Sequence, residues 1–243
     1  MKRFFGKAYR FFLILILLGT GVMAERTGLI HYLSDPYEYP YFLSRIWEHL
    51  CIVGASMSMA TIIGIVAGIL LTRHRFKRYA GVVMYIISLG QTIPSLAVLA
   101  LAMSFLGIGG GPAVFALTIY SILPIARNTL AGITNVPPHL IEAARGMGMS
   151  PGRVLLEIEI PNAMKVILTG FRIALIINIG TVALAYLIGA GGMGDLIFTG
   201  IEVMMTEKLL AGAIPVTIMA LTGDFLCGLL ELLLVSKGLR LNG

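Results

Sequence analysis

Two side chains able to do chemistry stand inside long apolar runs, Asn178 and Asp224. An amide or an acid at bilayer depth is costly and is by default a candidate for function. A carboxylate there would suit a ligand with a fixed positive charge. A second set surrounds prolines: Gln91, Thr92 and Ser95 flank Pro94, and Ser121 precedes Pro124. A proline inside a helix removes one backbone hydrogen bond and crowds the carbonyl four residues earlier. Pro94, Pro124 and Pro215 therefore free the carbonyls of Gly90, Tyr120 and Ala211. Such carbonyls are tolerated where neighbouring groups or a water-filled path satisfy them. Gln91, Ser95, Ser121, Asn178 and Asp224 are accordingly the candidates for lining a path. For Asn178 and Asp224 a packed polar contact is the competing reading. Arg127, Arg172 and Glu231 fall toward the same ends of their spans, where pairing or snorkelling accounts for them.

Catalytic constellations are not apparent. His31, His49, His74 and His139 are scattered without metal-ligand spacing, and no Ser/His/Asp set can be assigned. Gly189 to Gly194 formally satisfies G-x-G-x-x-G, but an apolar helix precedes it where the dinucleotide fingerprint needs a strand. There is no G-x-x-x-x-G-K-[ST], so a P-loop for ATP is absent from the sequence. No cofactor and no catalytic activity are expected of the chain itself. Cys51 and Cys227 lie in apolar runs and are expected as free buried thiols.

The elements that must carry these residues follow from hydropathy. Hydrophobic residues make up 58% of the 243 positions, charged residues only 12%, and mean hydropathy is +0.93. A bilayer core of ~30 Å needs about twenty apolar residues in a helix. Five stretches meet that test, roughly 50–72, 80–106, 112–134, 166–189 and 209–235. A sixth, within residues 4–24, is shorter, follows a basic start, and is read as a first transmembrane helix in preference to a cleaved signal segment. No segment alternates at period two, which excludes a barrel. The fold class is thus an all-α polytopic helical bundle, one transmembrane domain over residues 1–243.

Basic residues set the orientation. One side receives Lys2, Arg3, Lys7, Arg10, Arg73, Arg75, Lys77, Arg78, Arg145, Arg153, Lys165, Lys237 and Arg240; the other receives Arg26, Arg45 and Lys208. That asymmetry places both termini and the loop 135–165 in the cytoplasm, and residues 25–48 and 190–208 outside. The net charge of +6 is then explained by topology, with no nucleic-acid partner. Tyr37, Tyr39, Tyr41, Phe42 and Trp47 precede the first long span and read as an interfacial belt; an aromatic cage for a quaternary ammonium is the alternative. Asp35-Pro36 and Tyr39-Pro40 suggest turns into a short helix on the membrane surface. Gly64 and Gly68 form a small-xxx-small pair for close helix packing.

The run EAARGMGMSPGRVLLEIEIP, residues 142–161, is a charged, glycine-punctuated loop in an otherwise apolar chain. Pro137-Pro138 stops the preceding span, and a short helix follows, with Ala143 and Ala144 offering a flat docking surface. Gly146 and Gly148 permit a reversal. Ser150-Pro151 then starts a second short helix carrying Val154, Leu155 and Ile158 before Pro161. The run resembles the EAA signature of the membrane-spanning subunits of ATP-binding-cassette importers. Glu142, Ala143, Ala144, Gly148, Ile158 and Pro161 fall on its positions, and Ile160 stands where Leu is usual. In that family this loop receives the push from the ATPase.

Residues 91–103, 107–133 and 187–198 (QTIPSLAVLALAM, GIGGGPAVFALTIYSILPIARNTLAGI and LIGAGGMGDLIF) are similar to the permeases of osmoprotectant importers, which carry glycine betaine, choline, carnitine and related compounds. The similarity runs colinearly over about residues 45–235. It implies the type I importer transmembrane fold in a bacterial cytoplasmic membrane. The implied partners are cytoplasmic ATPase subunits that bind the ATP, a second permease copy or paralogue, and an extracytoplasmic substrate-binding protein. Methionine or another small amine or amino acid is the alternative substrate. A small secondary transporter is the rival class; it would show an internal repeat, and none is evident.

Overall fold

The computed structural model describes residues 25–235; the expected helix within 4–24 lies outside them. Among the described residues every regular element is helical. A short helix α1 (Leu29–Ser34) leads into α2 (Glu38–Thr72), and one turn, α3 (His74–Lys77), precedes α4 (Ala80–Thr92). Next come α5 (Ser95–Leu106), α6 (Gly110–Thr134), α7 (Pro138–Gly146) and α8 (Pro151–Val154). A π-helical turn (Leu155–Glu159) joins α8 to α9 (Ile160–Val182), which tightens into a 3₁₀ segment (Ala183–Ile188). Two helices, α10 (Gly194–Glu202) and α11 (Thr206–Leu234), complete the order.

Four helical runs, Glu38–Thr72, Gly110–Thr134, Pro151–Ile188 and Thr206–Leu234, are long and apolar enough to cross a membrane. They coincide with four of the expected spans. The fifth, expected as one helix over 80–106, is instead two helices meeting at 95°. The cause is local. Ile93 and Pro94 are extended (ψ 129° and 135°), as the residue before a proline prefers. Pro94 then accepts the first bonds of α5 from Ala97 (2.8 Å) and Val98 (3.1 Å).

Helix α2 is also longer than the expected span. Tyr39-Pro40 is not a turn, because Pro40 sits in the first turn of α2, where its missing N–H costs nothing. Tyr39, Tyr41, Phe42 and Trp47 are carried on that helix and not on a separate surface helix, with Tyr37 in the turn just before it. Tyr37 is 91% exposed and Trp47 68% exposed, so they form no cage.

Helix α6 sits at the centre, between α2 and α9. A Cβ on Gly64 would lie 2.8 Å from Ile125 Cβ, and one on Gly68 would lie 2.5 Å from Thr129 Cβ. The small pair therefore sets the α2–α6 approach, as its spacing suggested. Gly170 does the same between α9 and α6, where a Cβ would come within 2.5 Å of Asn128 Cβ. Ala60, Ala113, Ile125, Val182 and Ala185 are fully buried in this centre. Outward faces, such as Ile62, Leu221 and Leu233, remain exposed and apolar, which suits a helix surrounded by hydrocarbon. Of the two cysteines, Cys227 is buried as expected, whereas Cys51 is exposed on α2.

Candidate functional site

The loop between α6 and α9 is a compact knob. Val136 ends the preceding turn through its N–H to the Ile133 carbonyl, and Pro138 opens α7 at its first position. Helix α7 is terminated two residues beyond its end by Gly148, whose φ of +78° is open to glycine at little cost. The reversal is closed by N–H bonds from Met147 to Ala143 (3.0 Å), Gly148 to Arg145 (2.9 Å) and Met149 to Ala144 (3.1 Å). Gly146, expected to share in the turn, is an ordinary last residue of α7. Ala143 and Ala144 do not form one surface. Ala144 is 1% exposed and packs inward, while Glu142 and Ala143 face out.

Ser150 precedes Pro151 as the expected N-cap position, though its side chain makes no capping bond. The second helix does not stop at Pro161. It passes through the π-helical turn and continues as α9 to the far side of the molecule. Pro161 lacks the N–H that an α-helix would send to Glu157 and would crowd that carbonyl; the wider turn takes up the mismatch. Ile158 lies within this turn, and its carbonyl accepts from Asn162 Nδ2 at 2.7 Å. The knob is fixed to the bundle by Ile133, Val136, Ala163 and Ile167, with Ile141 and Leu155 packed against them. Arg73 at the end of α2 pairs with Glu159, which is buried. Met147 and Leu156 are large apolar side chains left 74% and 66% exposed at the knob. Neither is singled out by the sequence reading, although Met147 stands between two glycines.

The five path candidates separate into three settings. Gln91 lies at the bend between α4 and α5, and its Nε2 donates to the Tyr120 carbonyl at 3.2 Å. Ser95, the first residue of α5, is partly exposed beside it. Ser121 and Asn178 are buried, in α6 and α9. Asn178 Nδ2 donates to Ser121 Oγ at 2.9 Å, and Ser56 Oγ on α2 donates to Asn178 Oδ1 at 3.2 Å. One amide thus links the three central helices. Asp224 on α11 accepts both Nε and Nη2 of Arg172 on α9, each at 2.5 Å. The partner of Arg172 is thus Asp224 and not Arg127 or Glu231.

At the opposite end from the knob, the glycine-rich turn is seated on α2. Gly191 and Gly192 have φ of +76° and +78°. Glu48 Oε2 accepts from the Gly192 N–H at 2.9 Å and from Arg45 Nη1 at 2.6 Å. His49 is fully buried. Its Nε2 lies 3.0 Å from the Ile179 carbonyl, and its Nδ1 accepts from the Met193 N–H at 3.4 Å; the carbonyl fixes the proton on Nε2. Asp195 accepts from the Tyr41 hydroxyl and pairs with Arg45 at 3.4 Å. Nearby, Tyr32 donates to Glu38 at 2.7 Å, and burial together with that carboxylate pushes the Tyr32 phenol up. The G-x-G-x-x-G match is therefore a lining for a side-chain carboxylate of this same chain. Among the described residues no cluster of His, Cys, Asp and Glu could hold a metal.

Residues 60–235 match the family described as binding-protein-dependent transport system inner membrane component. The chain belongs to that family. It is 46% identical to the osmoprotectant import permease protein OsmY of Salmonella typhimurium, over 88% of this chain and 90% of the relative. It is 43% identical to the carnitine transport permease protein OpuCB of Listeria monocytogenes, over 82% of this chain and 90% of that one. The fold matches a chain of the inward-facing MetNI methionine ABC transporter with a TM-score of 0.68 at 25% identity, covering 79% of this chain and 97% of that one. The chain is therefore a permease subunit of an ABC importer, with the type I transmembrane fold.

Proposed function

We propose that this permease forms the translocation path for a quaternary ammonium osmoprotectant such as glycine betaine, choline or carnitine. The carrying observation is the identity of 39–46% to permeases named for carnitine, choline or osmoprotectant import, over most of both chains. The likeness to the methionine transporter is one of fold, at 25% identity, and supports a methionine substrate less. The permease hydrolyses no ATP. Cytoplasmic ATPase subunits dock on the knob formed by residues 142–161, two permease copies pair, and a binding protein delivers ligand at the end built by Glu48, Gly192 and Asp195. Both termini face the cytoplasm. The path runs by the bend at Pro94, with Gln91 and Ser95 nearest to it; Ser121, Asn178 and the Arg172–Asp224 pair hold the helices behind it.

The test is uptake by proteoliposomes containing this chain with its ATPase and binding protein. Labelled choline or glycine betaine should accumulate only with internal-face ATP, and excess methionine should not compete. Uptake of methionine in preference to either amine would overturn the substrate. Concentrative, ATP-driven uptake by the chain without an ATPase would overturn the division of labour.

A further inference from the structure

We propose that the cleft between α4 and the second half of α6 binds an anionic phospholipid. The two helices meet at one end, where Gln91 and Tyr120 exchange hydrogen bonds. They part toward the other end and leave a cavity of about 690 Å³. From Ala80 at the start of α4 to Ser88 at the depth of the cleft is about 12 Å at the helical rise of 1.5 Å per residue, most of one leaflet of a ~30 Å hydrocarbon core, with Lys77 beyond it at the mouth. Between them the walls are largely apolar, with Met84, Leu123 and Leu130 facing the space.

Two cations line this cleft, Lys77 and Arg127, and no Asp or Glu does. Neither side chain makes an ion pair or hydrogen bond among the described residues. Arg127 enters α6 about 10 Å before its end at Thr134, by the same rise. An arginine at that depth without an acid is costly and is satisfied by anionic oxygens, which its planar fork accepts in pairs. A phosphodiester supplies them, and the aliphatic walls take the attached chains. A quaternary ammonium without an anionic group, such as choline, would be repelled by both cations. Basic pockets between helices at a membrane face are suited to acidic headgroups on general grounds.

The experiment is native mass spectrometry of the purified full-length chain, offered phosphatidylglycerol and phosphatidylcholine with identical acyl chains. The chain should retain phosphatidylglycerol at least tenfold over phosphatidylcholine. The double variant Lys77→Gln, Arg127→Gln should bring that ratio within twofold. The charge-keeping double variant Lys77→Arg, Arg127→Lys should preserve it, and Lys208→Gln, on the far side, should leave it unchanged. Equal retention of the two lipids by the parent chain would overturn the proposal, as would an unchanged ratio in the double glutamine variant. Displacement of the lipid by glycerol phosphate at equal concentration would replace it with a soluble-phosphate site. Displacement by glycine betaine would assign the cleft to the transport path instead.

Discussion

The amide nitrogen of Gln91 donates to the carbonyl of Tyr120 at 3.2 Å, and Tyr120 is the residue whose carbonyl Pro124 deprives of its helical donor. The return contact is made by the Tyr120 hydroxyl, which donates to the carbonyls of Gln91 at 3.3 Å and Ile93 at 3.2 Å. A break in α6 is thus answered by the bend between α4 and α5. Gln91→Ala should leave the Tyr120 carbonyl unpaired, at a cost of about 1–3 kcal/mol. Pro124→Ala supplies a backbone N–H in its place. Thermal unfolding of the two single variants and the double variant checks this. The loss caused by Gln91→Ala should shrink when Pro124 is also alanine; an equal loss in both backgrounds would show that the side chain is not compensating the proline.

Gly148 and Gly146 look alike in sequence but differ in what they ask of the backbone. Gly148 stands at φ +78°, while Gly146 closes α7 with open space around its Cβ position. Gly148→Val should strain the turn by about 1–2 kcal/mol, shift the α7 surface, and uncouple ATP hydrolysis from uptake. Gly146→Ala should leave coupling intact and stabilise slightly, by about 0.5–1 kcal/mol. ATPase rate and uptake measured side by side in proteoliposomes separate the two. Normal coupling in Gly148→Val would remove the turn from the docking surface.

Sequence spacing exposed the long spans and the Gly64/Gly68 pair because apolar periodicity and small-residue repeats are properties of one helix. The Gly148 turn was legible for the same reason. The Ser56–Asn178–Ser121 link was not, since it needs three helices to present one face each at the same depth. Nor was the seat of Gly192 on Glu48, which joins positions 144 residues apart. Ser121 is a path candidate by its place before Pro124, and Asn178 by its depth. Depth says that a polar group needs a partner and does not say whether the partner is a ligand or a neighbouring helix. The break at Pro94 was legible, but not its sharpness, because a proline reads equally as a kink in one span or as the start of the next helix.

Asp224 has its charge matched by Arg172 on α9, so its first role is to hold α11 against α9. Asp224→Asn should lower the yield of folded chain, because it leaves an arginine without its acid at a half-exposed contact between two membrane-spanning helices. Exchanging the two residues, Arg172→Asp with Asp224→Arg, should restore much of that yield. Uptake measured at matched protein levels then isolates transport from assembly. Recovery of yield without recovery of uptake would return Asp224 to the path; recovery of both would leave it a packing contact.

Gly68 admits no side chain, because a Cβ there would fall 2.5 Å from Thr129 Cβ and 2.9 Å from the Ala126 carbonyl. Gly54, fourteen residues earlier on the same helix, meets nothing within 4 Å. Gly68→Ala should therefore push α2 from α6 and cost about 1–3 kcal/mol, the usual range for overpacking. Gly54→Ala should be neutral or mildly stabilising, since alanine favours helix by up to about 1 kcal/mol. Detergent thermal melts of the two variants decide this; equal melting temperatures would mean that the α2–α6 contact opens freely.

Orientation is testable through residues whose two ends of the molecule are now defined. Asp35 precedes α2, and Glu202 ends α10 at the same end, where Glu48 and Asp195 join the two segments. Ser150 lies on the knob at the other end. Cys51 is exposed and would itself take a label, so it and Cys227 must first be replaced by serine and alanine respectively. In that background an impermeant thiol reagent applied to intact cells should mark Asp35→Cys and Glu202→Cys. It should reach Ser150→Cys only after the membrane is opened. The expectation rests on the basic residues Arg73, Arg75, Lys77, Arg78, Arg145 and Arg153 clustering at the knob end, and on positive charge being retained in the cytoplasm. Labelling of Ser150→Cys from outside, with Glu202→Cys silent, would invert the topology and with it the side from which an ATPase could reach Glu142.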